Sequence, residues 1–298
     1  MDTSLRVGGE HGASIIEGLP VDRNMMFADF KGRPRPRVEK RQRRLLKKIG
    51  FIAPFLDEDE RILLVTQGCS NTTLLEQLTA GMIVFFLKRA LFVVTNKRLF
   101  HIPATMDYSY RYSIAQIRFP DCESLNLRGG TLVARYRNGL KDKFLYISRS
   151  ERKKLKAILS RSPFRGLVSQ IMGKQHLCPR CTKGLQIDNF VCPHCGQEFK
   201  DRHTGYKYSM LIPGGGYFYT RHPVLGISDA IVEAVLIIFV LIFGVSTLLG
   251  EEGTFALFLF FGVILIAEKA VTVFHANHFI NEYMPKELPV QPLEKDAK

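Results

Sequence analysis

Two long apolar stretches near the C-terminal end constrain this sequence more than any other feature. Residues 234–250 contain 17 residues without a charge, and residues 253–267 contain 15 more. With their apolar flanks, both reach the roughly 20 residues that a helix needs to cross a bilayer core of about 30 Å. Because both are apolar on every face, we predict transmembrane helices at 224–250 and 253–275 rather than two buried helices of a soluble domain.

The charges around this hairpin predict its orientation. The short link between the two stretches carries only acids, whereas basic residues flank the other ends: Lys207, Arg221, Lys269 and Lys286. Since basic residues stay on the cytosolic side, we expect both termini, including a tail at 276–298, to be cytosolic. No signal peptide precedes the soluble part. The expected localisation is an integral protein of a bacterial-type cytoplasmic membrane.

Polar residues within the hairpin fall at matching depths. In an antiparallel hairpin, residues at equal depth have numbers with the same sum; Glu233 and Lys269 sum to 502, and Asp229 and His275 sum to 504. Charged groups in a bilayer are costly and are usually paired or functional. We therefore predict a Glu233–Lys269 ion pair that fixes the register, a looser Asp229–His275 pair, and a Glu268 that faces elsewhere. A proton or ion site is the functional alternative.

Four cysteines have the spacing of a metal site. Two C-x-x-C knuckles lie ten residues apart, at Cys178, Cys181, Cys192 and Cys195. The pattern resembles zinc ribbons and predicts one structural Zn²⁺ within 174–200, with no open position for a catalytic water. A redox dithiol is the alternative, and the second matched knuckle argues against it. His176 and His194 are expected at the surface, and Cys69 and Cys122 in the core.

The positive charge is concentrated in two regions. The net charge is +14, and residues 31–50 alone carry +9 while residues 149–165 carry +6. Such patches favour phosphate partners, either anionic lipid or nucleic acid. We interpret 1–36 as a disordered basic tail and 37–54 as a basic amphipathic helix, either solvated or lying on an anionic bilayer. The candidate lipid or phosphate contacts are Arg37, Lys40, Arg41, Arg44, Lys47 and Lys48.

Residues 55–162 predict a small β domain closed by a helix. Short β-branched and aromatic runs alternate with turns, and a helical pattern follows. The segment 91–100, with its Thr-Asn-Lys-Arg turn, resembles the hairpin of bacterial pleckstrin-homology-like (PH-like, GRAM-related) domains, which often open with an acidic turn such as 57–60. The resemblance implies a partly open barrel plugged by its C-terminal helix, with a binding role and no catalytic residues. Residues 82–87 are expected to form a buried strand, with a membrane-dipping loop as the alternative.

The remaining motifs indicate no catalysis. There is no Ser-His-Asp set, phosphate loop or paired-acid constellation, so neither an enzyme nor a small-molecule substrate is expected. The Gly-rich segment 206–223 resembles the entry of small membrane-hairpin families. The predicted fold class is a multidomain α+β membrane protein with a PH-like barrel, a zinc ribbon and a transmembrane hairpin.

We expect a membrane-anchored, cytosol-facing binding or scaffolding protein whose partners are the lipid bilayer and a protein. A membrane-tethered nucleic-acid-binding protein is the alternative. A small transport or enzyme-accessory subunit that uses the hairpin charges is a third hypothesis. A PH-like fold does not by itself establish lipid binding, because the same fold serves many partners.

Overall fold

The computed structural model describes residues 14–160, 168 and 173–288, which form two compact units. The first, here called the β unit, contains the described residues up to Leu177 together with Thr182–Gly184. The second, the hairpin unit, contains Cys178–Cys181 and the described residues from Leu185 onward. The predicted mixed α/β class with membrane-type helices is confirmed at this level.

The β unit is built on an open antiparallel sheet. The hydrogen-bonded order of its main path is β10-β6-β5-β4-β3-β9-β8-β7, and β2 joins β1 and the parallel β3. The strands are β1 Ser14–Ile16, β2 Leu19–Val21, β3 Ile62–Ser70, β4 Arg89–Thr95, β5 Arg98–Pro103, β6 Ile114–Arg118, β7 Cys122–Arg128, β8 Thr131–Tyr136, β9 Lys141–Leu145 and β10 Gln175–Leu177. The helices are α1 Arg23–Phe27, α2 Pro36–Lys48, α3 Leu74–Ala80, α4 Ile83–Leu87 and α5 Arg152–Leu159, with 3₁₀ turns at Gly50–Phe55 and Phe119–Asp121.

Helices cover both faces of this sheet, which explains its continuous apolar strands. Neighbouring side chains of a strand point to opposite faces. On β4, Val93 therefore joins a cluster with Leu46 of α2, whereas Phe92 joins a second cluster with Leu155 of α5. A strand that is buried on both sides is apolar at successive positions rather than alternate ones.

The prediction of a disordered tail over residues 1–36 is wrong for residues 14–36. A hairpin joins β1 to β2 through Glu17 and Gly18, both at positive φ, and Asp22 caps α1 by accepting from the backbone N–H of Met25 at 2.8 Å. Val21 is fully buried in the core. Glycines that suggest disorder in the sequence are turn positions here. Residues 1–13 lie outside the described residues.

Helix α2 is an integral part of the β unit. It spans Pro36–Lys48 rather than the predicted 37–54, because the chain tightens into a 3₁₀ turn from Gly50. Its inner face buries Leu45 and Leu46, and the Gln42 amide is bonded to both backbone groups of Val65. The outer face of α2 is therefore fixed relative to the sheet.

The acidic turn at 57–60 is only partly exposed to solvent. The Glu60 side chain is 0% exposed and accepts hydrogen bonds from Thr95 Oγ1 at 2.6 Å and from Arg98 Nη2 at 2.5 Å. Lys97 pairs with the exposed acids of the same turn. The polar side chains of the turn between β4 and β5 therefore serve to bind the acidic segment.

We expect Glu60→Ala to destabilise the β unit by about 3–5 kcal/mol, because it leaves the Arg98 guanidinium in a largely buried site without its partner. Urea unfolding of a fragment spanning residues 1–177 measures this free energy. Glu58→Ala removes an exposed neighbouring carboxylate and should stay within about 0.5 kcal/mol of wild type. Equal stability of the two variants would contradict the assignment.

The prediction of a buried strand at 82–87 is also wrong. Residues 74–87, here called the apolar lobe, form α3 and α4 and expose five large apolar side chains by 45–75%: Leu74, Leu78, Met82, Ile83 and Phe86. Its one charged residue, Glu76, is buried against Lys88 at 2.6 Å. A short apolar run is compatible with either helix or strand, so periodicity alone does not decide between them.

The hairpin unit contains two helices that are long and apolar enough to cross a membrane. They are α8 Pro223–Leu248 and α9 Thr254–Ile280, preceded by α6 Arg202–Leu211 and α7 Gly215–Tyr219. The most apolar 18-residue windows of α8 and α9 are only 11% and 6% buried. This exposure is what a lipid-facing pair requires and what a soluble core pair does not show.

The Gly-rich segment is a close-packing device. Gly214 adopts a left-handed conformation at φ +67°, where α7 begins. A Cβ on Gly216 would lie 2.2 Å from Ser209 Oγ on α6 and 3.1 Å from Thr272 on α9. Only glycine lets α7 approach both helices at this distance.

The second membrane-type helix ends five residues later than the predicted 275, and the described chain after it folds back. Helix α9 continues to Ile280, and the following residues return to the segment that carries the four cysteines. Phe199 forms a β-bridge with Pro285, and Lys286 lies 2.9 Å from Glu198. Residues 289–298 lie outside the described residues.

Candidate functional site

The structure brings the four predicted cysteine ligands together. Cys178 Sγ lies 3.6 Å from Cys195 Sγ, and Cys181 Sγ lies 3.6 Å from Cys192 Sγ. All four are free thiols, since a disulfide would hold its sulfurs about 2.05 Å apart. Four sulfurs around one Zn²⁺ at about 2.3 Å would be separated by about 3.8 Å. The cluster therefore has the size of a tetrahedral metal site.

Backbone amides are directed at one sulfur of each knuckle. The N–H groups of Arg180 and Cys181 face Cys178, and those of His194 and Cys195 face Cys192. Burial raises the pKa of the Cys178 thiol despite these donors. For Cys192, burial acts in the same direction, but the backbone donors together with the side chains of Cys181 and Cys195 outweigh it and lower the pKa. Donors aimed at sulfur stabilise a thiolate, which is the form that binds metal.

The segment after α9 supports this centre. The Tyr283 hydroxyl accepts from the backbone N–H of Asp188 at 2.8 Å and donates to the carbonyl of Gln186 at 3.0 Å. Its ring packs against Phe190 and Phe199, with centroids 5.5 and 5.9 Å away. The metal centre and the ends of the membrane-type helices are thus parts of one compact unit.

The remaining cysteines and histidines have simple roles. Cys69 and Cys122 are buried in the β unit, as expected. His194 is exposed. His176 is buried within β10, so its predicted surface position is wrong, and burial lowers its pKa well below the usual value. The sequence gives no signal for this, because β10 has only three residues.

The six predicted basic contacts divide into two groups. Arg41 pairs with Glu151, and Lys48 donates to the carbonyl of Asp107, so both are used inside the β unit. The other four are exposed along one side of α2: Arg37, Lys40, Arg44 and Lys47. Their spacing of three, four and three residues places them in one row. We call these four residues the basic stripe; Glu17 lies 3.9 Å from Lys47.

In the second basic region, 149–165, two of the five described basic residues have structural roles, whereas Arg149, Lys153 and Lys156 are exposed. Lys154 of α5 is buried and donates to the carbonyl of Met26 at 2.6 Å, and burial lowers its pKa to about 8. Arg152 donates to the carbonyl of Ile147 at 2.7 Å. Residues 161–165 of this region lie outside the described residues. The basic stripe is therefore the better candidate for a phosphate contact.

The structure also brings Glu233 and Lys269 together across the hairpin. Lys269 Nζ lies 2.5 Å from Glu233 Oε2, and the Glu233 side chain is 0% exposed. The same ammonium donates to the carbonyl of Ser209 at 2.9 Å. Lys269 thus links α9 to both α8 and α6.

The neighbouring polar residues differ from the sequence prediction. Asp229 Oδ2 accepts from Thr272 Oγ1 at 3.1 Å, while His275 Nδ1 lies 2.5 Å from the hydroxyl of Tyr217. Glu268 does not face elsewhere, because its Oε1 accepts from Thr272 at 2.9 Å. The residue numbers predict which side chains lie at equal depth in the hairpin. They do not predict the contacts that α6 and α7 make with those side chains.

We expect Lys269→Gln to destabilise the hairpin unit by about 3–5 kcal/mol, since it leaves the buried Glu233 carboxylate without its cation. Glu233→Gln should cost less, because the carboxylate of Asp229 still interacts with the Lys269 ammonium. The double variant should cost less than the sum of the two single losses by about 1–3 kcal/mol. Unfolding of the full chain in detergent measures these energies, with Glu252→Gln at the exposed link as the control. Strictly additive losses would show that the two residues do not interact.

Comparisons with models of protein families, with curated proteins and with solved structures find no match to this chain. Besides the apolar lobe, three features of the described residues are candidates for function. These are the four-cysteine cluster, the basic stripe and the polar residues within the membrane-type hairpin.

Proposed function

We propose that this chain is a membrane-anchored binding module. In this proposal α8 and α9 span the cytoplasmic membrane with both termini in the cytosol, and the β unit binds anionic lipid head groups through the basic stripe. The observation that carries it is the row of four exposed basic side chains on α2. The opposite face of that helix is locked into the core, so the row is preformed.

The electrostatic gain of such a stripe is substantial. A basic residue near an anionic bilayer surface gains about 1 kcal/mol, so four of them gain about 4 kcal/mol. That corresponds to roughly a thousandfold in the partition coefficient. The gain should fall as salt rises, because exposed charges are screened beyond about 8–10 Å at physiological ionic strength.

We propose that the β unit is a PH-like domain. An antiparallel sheet with a covering C-terminal helix, α5, is consistent with that family, as is the bonded turn between β4 and β5. We further propose that the four-cysteine cluster holds one structural Zn²⁺ in a zinc ribbon, since an all-thiolate tetrahedral set favours zinc. With four protein ligands, the metal would stabilise the fold rather than catalyse a reaction.

The apolar lobe supports a second, hydrophobic contact with the bilayer. It exposes uncharged side chains only, and the guanidinium of Arg89 stacks over Phe86 at 4.8 Å. An arginine beside an apolar surface can stay at the level of the head groups while its neighbours enter the acyl region. A chain with its own membrane helices presents the lobe to that surface at high effective concentration.

The absence of tryptophan makes this contact directly measurable. We expect Met82→Trp and Phe86→Trp, in full chains reconstituted into vesicles, to lose most of their fluorescence to lipids brominated in the acyl chains. Leu140→Trp, on an equally exposed turn between β8 and β9, should keep its emission. Equal quenching, or no quenching, at all three positions would contradict insertion of the lobe.

Nucleic acid remains the second candidate, since it offers the same phosphates to the basic stripe. A flotation assay with the 1–177 fragment separates the two. The proposal expects binding to anionic vesicles, little binding to neutral vesicles, and release as salt rises. Preferential binding to duplex or single-stranded nucleic acid in competition with anionic vesicles would favour the alternative.

A further inference from the structure

Three carboxylates converge between α8 and α9. Asp229 and Glu233 lie one turn apart on α8, and Glu268 lies on α9. One oxygen from each lies within 4.8 Å of the other two. Opposite ligands of one Ca²⁺, at roughly 2.3–2.6 Å from the ion, are about 4.6–5.2 Å apart. All three carboxylates can therefore reach a single ion of that size.

Two oxygens of this cluster are buried without a hydrogen-bond partner among the described residues. They are Glu233 Oε1 and Glu268 Oε2. The other oxygen of Glu233 is taken by Lys269. The single hydroxyl hydrogen of Thr272 lies within reach of both Asp229 and Glu268 but can be donated to only one of them at a time. Since buried acceptors are almost always satisfied, the cluster lacks a hydrogen-bond donor or a cation.

The charge balance leads to the same conclusion. With all three carboxyls ionised, three carboxylates and one ammonium leave two negative charges in excess. The three carboxylates also act on Tyr217 of α7. Burial is the larger cause, and the negative charge of the carboxylates the smaller one, of a raised pKa of its hydroxyl. One divalent cation would neutralise the excess and supply the missing partner for both orphaned oxygens.

We propose that Asp229, Glu233 and Glu268 bind one hard divalent cation, Ca²⁺ in preference to Mg²⁺. The donors are oxygens only, which excludes a soft metal as the preferred occupant. The larger Ca²⁺ accepts several carboxylates in flexible geometry, whereas the smaller Mg²⁺ demands a near-ideal octahedron and keeps several of its waters. The ion would join α8 to α9 one helical turn from the Glu233–Lys269 pair. This site does not depend on lipid binding by the β unit.

The test is calorimetric titration of Ca²⁺ into the full chain in detergent, after the four cysteines have been loaded with zinc. Wild type should bind one Ca²⁺ per chain, and Mg²⁺ should bind more weakly. Removing one ligand charge, by Glu268→Gln or Asp229→Asn, should weaken Ca²⁺ binding by about tenfold or more. Glu252→Gln removes the same charge at the exposed link and should bind as wild type does.

Three results would overturn the proposal. Absence of saturable Ca²⁺ binding by wild type would mean that protons, not a metal, balance the cluster. Unchanged affinity in both Glu268→Gln and Asp229→Asn would place the ion elsewhere. Tighter binding of Mg²⁺ would contradict the size argument. Asp229→Asn carries the comparison if Glu268→Gln fails to fold.

Discussion

Replacement of Cys178 by serine is expected to abolish metal binding and unfold the segment between the two knuckles. A structural Zn²⁺ contributes roughly 10–16 kcal/mol to the folding of small zinc modules, which far exceeds what the few apolar side chains here can supply. Those buried around the cluster are Leu185, Phe199 and Tyr283. The loss should therefore extend to the packing of Tyr283, because its ring lies on the same small core.

The measurement is the metal content of purified full-length protein together with proteolysis of residues 178–199. Wild type should carry one zinc per chain and resist cleavage, and a strong chelator should reproduce the variant. Cys69→Ala removes a buried thiol that lies in the β unit and should keep the metal. A wild-type protein without zinc, or a Cys178→Ser variant that retains it, would contradict a zinc ribbon.

The predictions that the structure confirms depend on local residue spacing and on chain geometry. The knuckle spacing predicts that four sulfurs converge, because each C-x-x-C places two thiolates on one tight turn. The apolar lengths predict the membrane-type helices, since hydrophobic thickness sets helix length. The contact between Glu233 and Lys269 follows from the antiparallel geometry of two helices joined by a four-residue link.

Two of the features that the sequence does not predict depend on contacts between distant segments. Glu60 is buried by its contacts with Thr95 and Arg98, which lie 35 and 38 residues further along the chain. Glu268 joins Asp229 because both carboxylates reach the hydroxyl of Thr272, which lies 43 residues beyond Asp229. The apolar lobe differs from its prediction for another reason. Its apolar run at residues 82–87 is compatible with a helix and with a strand.

Charge reversal of the basic stripe is expected to cause the largest loss in vesicle binding. The fourfold variant replaces each member of the stripe by glutamate: Arg37→Glu, Lys40→Glu, Arg44→Glu and Lys47→Glu. It should lower the partition of the 1–177 fragment onto anionic vesicles by about a thousandfold or more at low salt, since about 4 kcal/mol of attraction is lost and repulsion is added. All four residues are exposed, so the fold should survive.

A matched control separates local contact from net charge. Four other exposed basic residues lie on the β7–β9 part of the sheet: Arg128, Arg135, Lys141 and Lys143. Reversing these four changes the net charge by the same eight units. If the stripe is the contact, this control should lose binding only modestly.

The most direct test of the proposed function is therefore flotation of the 1–177 fragment with anionic vesicles, comparing the wild type, the stripe reversal and the sheet reversal. The account predicts strong binding by the wild type, near-complete loss in the stripe variant and substantial retention in the sheet variant. Equal losses in the two variants, or full binding by the stripe variant, would contradict it.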